Sequence, residues 1–190
     1  MHHALKASYL SLIFTFMTGC ASMQPLQGPP QLIGKSGEIC TGKIQAPADG
    51  LVEISDDNLL QNAEDIHGYG KLCAGKVFTV QKPLTVYRVW DSSRPYSVYG
   101  QWWSFDTPKG SRDSYRAAED ICQEWSALDR VSACTLKVGA HIVVGPGQSV
   151  GCQNGLHYPP SPVNQVFVPN DGKNNQLFVD CPNPGIAWPQ

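Results

Sequence analysis

The sequence predicts a strand-rich α+β domain that is stabilised by disulfide bonds and carries one amphipathic helix. Three observations support this fold class. The apolar runs are short and mostly alternate with polar residues, and 18 glycines and 15 prolines are spread along the 190-residue chain, as expected for many strands joined by turns. Residues 111–128 instead repeat apolar residues at spacings of three and four. Seven cysteines are present, which is an unusual number for a chain without disulfides.

The first nineteen residues predict a cleavable signal peptide. Lys6 gives a weakly basic start, and an uncharged apolar run follows from Tyr9 to Met17, which is the pattern of a secretory leader. A membrane-spanning helix needs about 20 apolar residues, and this run is too short. We therefore expect residues 1–19 to be removed rather than to anchor the chain.

The end of this leader resembles a bacterial lipobox. Residues 17–20 read Met-Thr-Gly-Cys, and the resemblance implies that Cys20 is lipidated and becomes the first residue of the mature chain. A leader that merely ends near a cysteine is the alternative. Ala21 stands where an Asp would retain a lipoprotein in the inner membrane, so the expected location is the cell envelope, at the outer membrane, with the membrane as a partner through Cys20. The Pro- and Gly-rich residues 20–35 predict a flexible tether, and 36–190 one globular domain.

Assigning Cys20 to the lipid leaves an even number of cysteines. They are Cys40, Cys73, Cys122, Cys134, Cys152 and Cys181. In an oxidising compartment three disulfides are expected, and the wide spacing does not suit a zinc site, so no metal is expected. Many connectivities are possible; we expect Cys40–Cys73, Cys122–Cys134 and Cys152–Cys181. The net charge of −2 without a basic stripe argues against a nucleic acid partner.

The individual elements follow from local patterns. The predicted strands are residues 38–44, 76–81, 85–90, 133–138, 141–144, 165–169 and 176–180. The amphipathic helix is predicted over 111–128, and a less regular pattern predicts another helix over 56–66. The near-repeat of Gln-Val-Phe-Val at 165–168 and Gln-Leu-Phe-Val at 176–179 surrounds a turn-rich segment and predicts a β-hairpin.

Arg88 is the first candidate for a binding role. There is no GxSxG, HExxH or P-loop motif in the chain, so the candidates must come from unusual placements. On an alternating strand Arg88 shares the apolar face with Val86 and Trp90. Its charge therefore needs an anionic partner, which is either an internal carboxylate or a ligand.

Aromatic and amide side chains supply further candidates. Tyr99, Trp102, Trp103 and Ser104 lie within seven residues, and one ring of a tandem Trp pair on a strand faces away from the core, where it can stack on a planar ligand. Core packing is the alternative for both tryptophans. Gln148 lies in the Gly-rich stretch 144–149, which is either a plain turn or a backbone approach to a ligand. His141 and His157 are expected to be surface or structural residues.

The order of these motifs resembles the toxin domains of the ADP-ribosyltransferase superfamily, in particular the NAD glycohydrolase branch typified by the tuberculosis necrotizing toxin. The motifs are Tyr-Arg-Val at 87–89, Gly-x-Trp-Trp at 100–103, Lys-x-Gly-x-x-Ile at 137–142 and Gln-Val at 165–166. The resemblance covers residues 85–168, which would form the NAD-binding core. It departs at 161–164, where Ser-Pro-Val-Asn replaces the glycines that precede the closing Gln in the family.

The resemblance implies a split β-sandwich with NAD in a cleft between two small sheets. The roles it implies are pyrophosphate binding for Arg88, nicotinamide contacts for Tyr99 and for Trp102 or Trp103, a ribose or carboxamide hydrogen bond for Ser104, and the catalytic position for Gln165. NAD would be the substrate, and no cofactor would be needed. Family members that modify arginine have Glu-x-Glu where this chain has Asn164 and Gln165, with no acid nearby in sequence, which favours hydrolysis over protein modification.

Two functions are therefore expected from different classes. The first is a lipid-anchored NAD glycohydrolase or ADP-ribosyltransferase-like toxin, with a possible immunity protein as partner. The second is a non-enzymatic surface or periplasmic lipoprotein that binds a protein or an envelope glycan, which the scarcity of NAD outside cells favours.

Overall fold

The computed structural model describes residues 31–182 and 185–189. The predicted signal peptide, Cys20 and most of the predicted tether lie outside these residues. The strands are β1 (Leu51–Ile54), β2 (Lys76–Val80), β3 (Leu84–Trp90), β4 (Trp102–Trp103), β5 (Arg130–Leu136), β6 (His141–Pro146), β7 (Val150–Gly151), β8 (His157–Tyr158), β9 (Asn164–Phe167), β10 (Val179–Asp180) and β11 (Ile186–Ala187). The helices are α1 (Asp57–Ala63) and α2 (Arg112–Ala118), with 3₁₀ turns at Pro95–Tyr99 and Gln123–Trp125. The chain is thus strand-rich α+β, and within the described ranges no helix is long and apolar enough to cross a membrane.

Two antiparallel sheets enclose the main core. The larger sheet has the order β1-β2-β6-β9-β4, and the smaller sheet is built around β5, which pairs with β3, β10 and β11. Reciprocal backbone hydrogen bonds of 2.8 and 2.9 Å between Tyr87 and Ser104 join β3 to the chain just after β4. The sheets are therefore continuous at one edge.

Alternating residues explain why the larger sheet is buried on both faces. On β9, Val166 stands opposite Trp103 and Val144, and all three enter the core between the sheets. The next residue, Phe167, points to the other face and packs with Leu59 of α1. Gln165 has the same parity as Phe167 and so lies on this outer face.

The helix predicted over residues 111–128 forms only in its first part. Ser111 caps α2, because its Oγ accepts a hydrogen bond from the Ser114 N–H at 3.2 Å. The helix ends at Ala118, since Asp120 adopts a φ of 54°, which is incompatible with a continuing right-handed helix. A 3₁₀ turn follows. Helix α1 lies inside the predicted range 56–66.

Two expectations about the strands are wrong. Residues 38–44 do not form a strand; they contribute one isolated bridge between Ile33 and Ile39. The expected hairpin over 165–180 does not form either, because β9 is hydrogen-bonded between β6 and β4 in the larger sheet, whereas β10 pairs with β5 in the smaller one. Both positions next to β9 are occupied, so β10 must pair elsewhere. The two-residue strand β4 was not expected as a strand.

The structure contains three disulfides. The expected Cys40–Cys73 bond is confirmed, but the expected Cys122–Cys134 and Cys152–Cys181 bonds are wrong. Instead the bonds join Cys122 to Cys152 and Cys134 to Cys181. Strand pairing is the reason: β10 lies beside β5 with Asp180 opposite Thr135, which brings the following Cys181 to the neighbour of Thr135.

Removing the Cys134–Cys181 bond should destabilise the domain strongly. We expect the double variant Cys134→Ala/Cys181→Ala to lose about 3–4 kcal/mol of unfolding free energy, because the bond closes 47 residues of chain in the unfolded state. Urea unfolding under non-reducing conditions measures this loss. A change below about 1 kcal/mol would contradict a closed bond in the native protein.

Candidate active site

A cleft of about 510 Å³ opens beside the end of α2. Its walls include a carboxyl, a hydroxyl and a phenol that come from different elements: Glu119 follows α2, Tyr115 lies on α2 and Ser104 follows β4. Asp106 and Val163 complete one side. This concave site with few polar groups has the form of a small-molecule binding site.

Glu119 is placed by the helix end and by Gln165. Its backbone N–H bonds to the Tyr115 carbonyl at 2.9 Å, and its own carbonyl accepts a hydrogen bond from Gln165 Nε2 at 3.0 Å. The side chain amide of β9 thus holds the backbone of residue 119 at the cleft wall. Glu119 lies four residues after Tyr115, on the same helical face, so a carboxyl on the apolar face was a signal present in the sequence.

Both acids at this turn are hard to ionise. Burial raises the pKa of Glu119 to about 8, and the negative charge of Asp106 adds to the effect. Burial also raises the pKa of Asp120 to about 8, with repulsion from Glu119 as the second cause. Titratable groups with pKa values moved towards neutrality are typical of catalytic sites.

Asp120 combines backbone strain with an unsatisfied carboxyl. It is 3% exposed and has a φ of 54°, and neither carboxylate oxygen has a hydrogen-bond partner among residues 31–182 and 185–189. Gly147 packs directly against it: a side chain at 147 would overlap Asp120 Oδ2 and lie 3.1 Å from Gln165 Nε2. Strain and unpaired buried polar atoms persist where function requires them.

These two acids correct one expectation. The sequence around Gln165 contains no acid, and this argued for hydrolysis without a carboxyl. In the folded chain Glu119 is hydrogen-bonded to Gln165 through its carbonyl, and Asp120 lies across Gly147 from the same amide. The site therefore has carboxyl groups, contributed by a segment more than forty residues away.

Arg88 does not join Ser104 and Gln165. Its Nε donates to the Ser97 carbonyl at 2.8 Å and its Nη1 to the Trp102 carbonyl at 2.6 Å. Tyr87 pairs with Ser104, so the next residue on β3 points to the opposite face. Burial lowers the pKa of Arg88 to about 10, which leaves it protonated at neutral pH, and no carboxylate in the described part of the chain forms an ion pair with it.

The aromatic candidates separate in the same way. Tyr99 and Arg88 line another cavity of about 350 Å³. Trp103 is buried in the core under the Arg88 guanidinium, 5.9 Å from its ring centroid. Trp102 faces outward, as expected for one of the pair, and its ring packs on Phe167 at a centroid distance of 5.1 Å.

The remaining candidates have structural or surface positions. Gln148 is fully buried, donates to Glu38 and accepts from the Ser149 N–H at 2.9 Å, so its side chain is not open to a ligand. His141 lies 3.7 Å from the Asp56 carboxylate, and His157 is exposed on β8.

Potential metal ligands come together at one place in the described ranges. Cys122, Glu124 and Cys152 have ligand atoms within 4.8 Å of one another, but the two sulfurs form a disulfide and are not thiolates.

The cleft thus contains Ser104 and Glu119 with Gln165 behind them, while Arg88 and Tyr99 lie in a different cavity. Comparison of the chain with protein family models, curated proteins and solved structures finds no match. The assignment of a function therefore depends on the geometry of the cleft and on the order of the sequence motifs.

Proposed function

We propose that the protein is an NAD glycohydrolase, related to the ADP-ribosyltransferase-like toxins, that cleaves the bond between nicotinamide and ribose in the Glu119 cleft. The carrying observation is the convergence of Ser104 and Glu119 on one cleft, with Gln165 bonded to the backbone of Glu119. Two of these residues, Ser104 and Gln165, are the ones that the motif order assigns to the substrate and the catalytic position.

The proposed fold assignment is the split β-sandwich of that superfamily. Two antiparallel sheets joined at one edge support it. The strands that carry the Arg, Trp-Trp and Gln motifs, β3, β4 and β9, are neighbours at this edge. The motifs therefore meet in space, although their side chains leave on different faces.

The substrate itself would adjust the charge of Glu119. The nicotinamide ring of NAD is cationic, and a cation close to a carboxyl favours its ionised form. An ionised Glu119 would stabilise the positive charge that develops on the ribose as the glycosidic bond lengthens. Ser104 Oγ accepts the Asp106 N–H at 3.0 Å, and its own proton is available for a substrate oxygen.

The reaction then balances without a further reactant. The C–N bond breaks with its electron pair moving to the nicotinamide nitrogen, which leaves neutral nicotinamide. Water attacks the ribose carbon and transfers a proton to the Glu119 carboxylate. Gln165 acts as a positioning residue, because it is 5% exposed and holds the Glu119 carbonyl. Arg88 supports the β3–β4 edge through its two carbonyl contacts.

The location is part of the proposal. The expected lipid on Cys20 would hold the enzyme in the cell envelope, and three disulfides are compatible with an oxidising compartment. NAD reaches such a site from another cell or from lysis. An immunity protein would be required only where the enzyme meets cytoplasmic NAD of its own kind.

A surface feature favours the non-enzymatic alternative. Tyr69 and Trp125 are 66% and 45% exposed, and the Trp125 ring lies 3.5 Å from where a side chain at Gly70 would begin. Neighbouring exposed aromatic rings suit stacking on the apolar faces of sugars. A lipoprotein that binds an envelope glycan would use this surface and not the cleft.

Nicotinamide release separates the two functions. We expect the purified, oxidised protein to release nicotinamide from NAD and to increase the fluorescence of etheno-NAD. Gln165→Ala should lower kcat about 10–100-fold, because Glu119 loses its anchor. The matched control is Gln176→Ala, at an exposed position, which should keep full activity. Absence of nicotinamide release from the parent protein would reject the enzyme and leave the glycan-binding alternative.

A further inference from the structure

We propose that the Glu119 cleft continues into a second compartment that binds a planar, uncharged nucleobase, so that the substrate is a dinucleotide and not a mononucleotide. Naming the whole substrate rests on the proposed function, whereas the base site is argued from its own walls. We call this second cavity the base compartment and define it by Gln45, Pro47, Phe105, Pro162 and Asn164.

The base compartment adjoins the catalytic cleft. It has a volume of about 350 Å³, and Asp106 and Val163 line both it and the cleft of about 510 Å³. A ligand with two ring systems joined by a linker can therefore occupy both cavities at once. A mononucleotide would fill only the first.

The walls of the base compartment suit a flat ring. Phe105 presents an aromatic face, and Pro47 and Pro162 add two apolar rings. Stacking on such faces is a common way to hold a nucleobase. The residues that line it include Asp106 but neither lysine nor arginine, so a phosphate is not attracted into this compartment.

A strap from the N-terminal part of the domain builds one side. Asn164 Oδ1 accepts the Gln45 N–H at 2.9 Å, and Asn164 Nδ2 donates to the Lys43 carbonyl at 2.8 Å. Gly42 has a φ of 88°, and a side chain there would come within 3.0 Å of Pro162. The backbone of the strap is therefore held against the segment that precedes β9.

The side chain of Gln45 can read the edge of the base. It is exposed and makes no hydrogen bond to other side chains or backbone groups of the described ranges. A free amide offers both a donor and an acceptor, which matches the adjacent nitrogen atoms at an adenine edge. Pro162 and Asn164 belong to residues 161–164, the stretch that departs from the toxin motif, so this compartment is a feature of this chain.

Titration with two half-substrates tests the proposal. We will compare binding of adenosine and of nicotinamide mononucleotide to the parent, to Phe105→Leu, to Gln45→Ala and to the control Tyr69→Leu, using NMR chemical shifts. Phe105→Leu keeps an apolar side chain and removes the aromatic face. We expect adenosine to bind the parent and to bind Phe105→Leu about tenfold more weakly, with Gln45→Ala also weakened and Tyr69→Leu unchanged.

The outcomes are distinguishable from those of the proposed function. Weakened adenosine binding with unchanged nicotinamide mononucleotide binding supports the base compartment, whether or not NAD is cleaved. If Phe105→Leu does not fold, Gln45→Ala decides, because that side chain is exposed. Absence of adenosine binding, or adenosine binding that neither variant weakens, overturns the proposal even if nicotinamide is released.

Discussion

Replacing Glu119 by Gln is expected to reduce kcat for nicotinamide release from NAD by about 10²–10³-fold. The Gln side chain has nearly the same size and keeps the hydrogen-bonding capacity, but it can neither carry a negative charge beside the ribose nor accept a proton from water. The backbone hydrogen bond from Gln165 is unaffected, because it involves the Glu119 carbonyl. The KM for NAD should change much less than kcat.

The pH profile gives an independent measure of the same group. The pKa of Glu119 is about 8 in the free protein, and the ionised form is the active one. We therefore expect kcat/KM to rise with pH and to level off above about 8. The control is Glu53→Gln, a surface residue paired with Lys76 at 2.8 Å, which should keep both the rate and the profile. A Glu119→Gln variant with parental kcat would remove Glu119 from the mechanism.

Replacing Asp120 by Asn should stabilise the folded protein by about 2–4 kcal/mol at pH 8. The pKa of Asp120 is raised to about 8, whereas in the unfolded chain it is near 3.9. The folded state therefore binds more protons between these values, and stability declines as the pH rises from about 4 to about 8. Asn has no charge to bury and tolerates the positive φ of residue 120.

The sign of the pH dependence is the sharpest test of this prediction. At pH 4 most of the advantage of Asp120→Asn should disappear, because the native carboxyl is then protonated in both states. Urea unfolding at pH 4 and pH 8 measures the difference. The control Asp180→Asn removes an exposed acid that is 3.2 Å from Lys137 and should change stability by less than about 1 kcal/mol. A gain that is equal at both pH values would show that relief of backbone strain is the whole effect.

Much of the sheet could be predicted from local pattern. The segments 76–81, 85–90 and 141–144 alternate or are continuously apolar, and they form β2, β3 and β6 with small changes at their ends. The start of α2 was also predictable from its periodic apolar residues. Its end was not, because residues 119–125 keep the helical spacing while Asp120 adopts a left-handed backbone.

The candidate site could be predicted only in part. Ser104 and Gln165 reach the cleft region as the motif order implied, but Arg88 does not. The alternation along β3 placed Arg88 on the core face, yet no local pattern states which side of the paired Ser104 the cleft occupies. Glu119 and Asp120 were not among the candidates, since two adjacent acids near a helix end are common on exposed surfaces.

The sequence by itself determined the class of the domain, the positions of its central strands, the even number of cysteines left for pairing and two of the polar residues at the cleft. These properties depend on interactions between neighbouring residues or on composition. Only the tertiary structure decided that Cys134 bonds to Cys181, that β9 and β10 lie in different sheets and that Glu119 stands before Gln165. Each of these depends on which strands pair across long stretches of chain, and strand pairing is set by the burial of whole faces together.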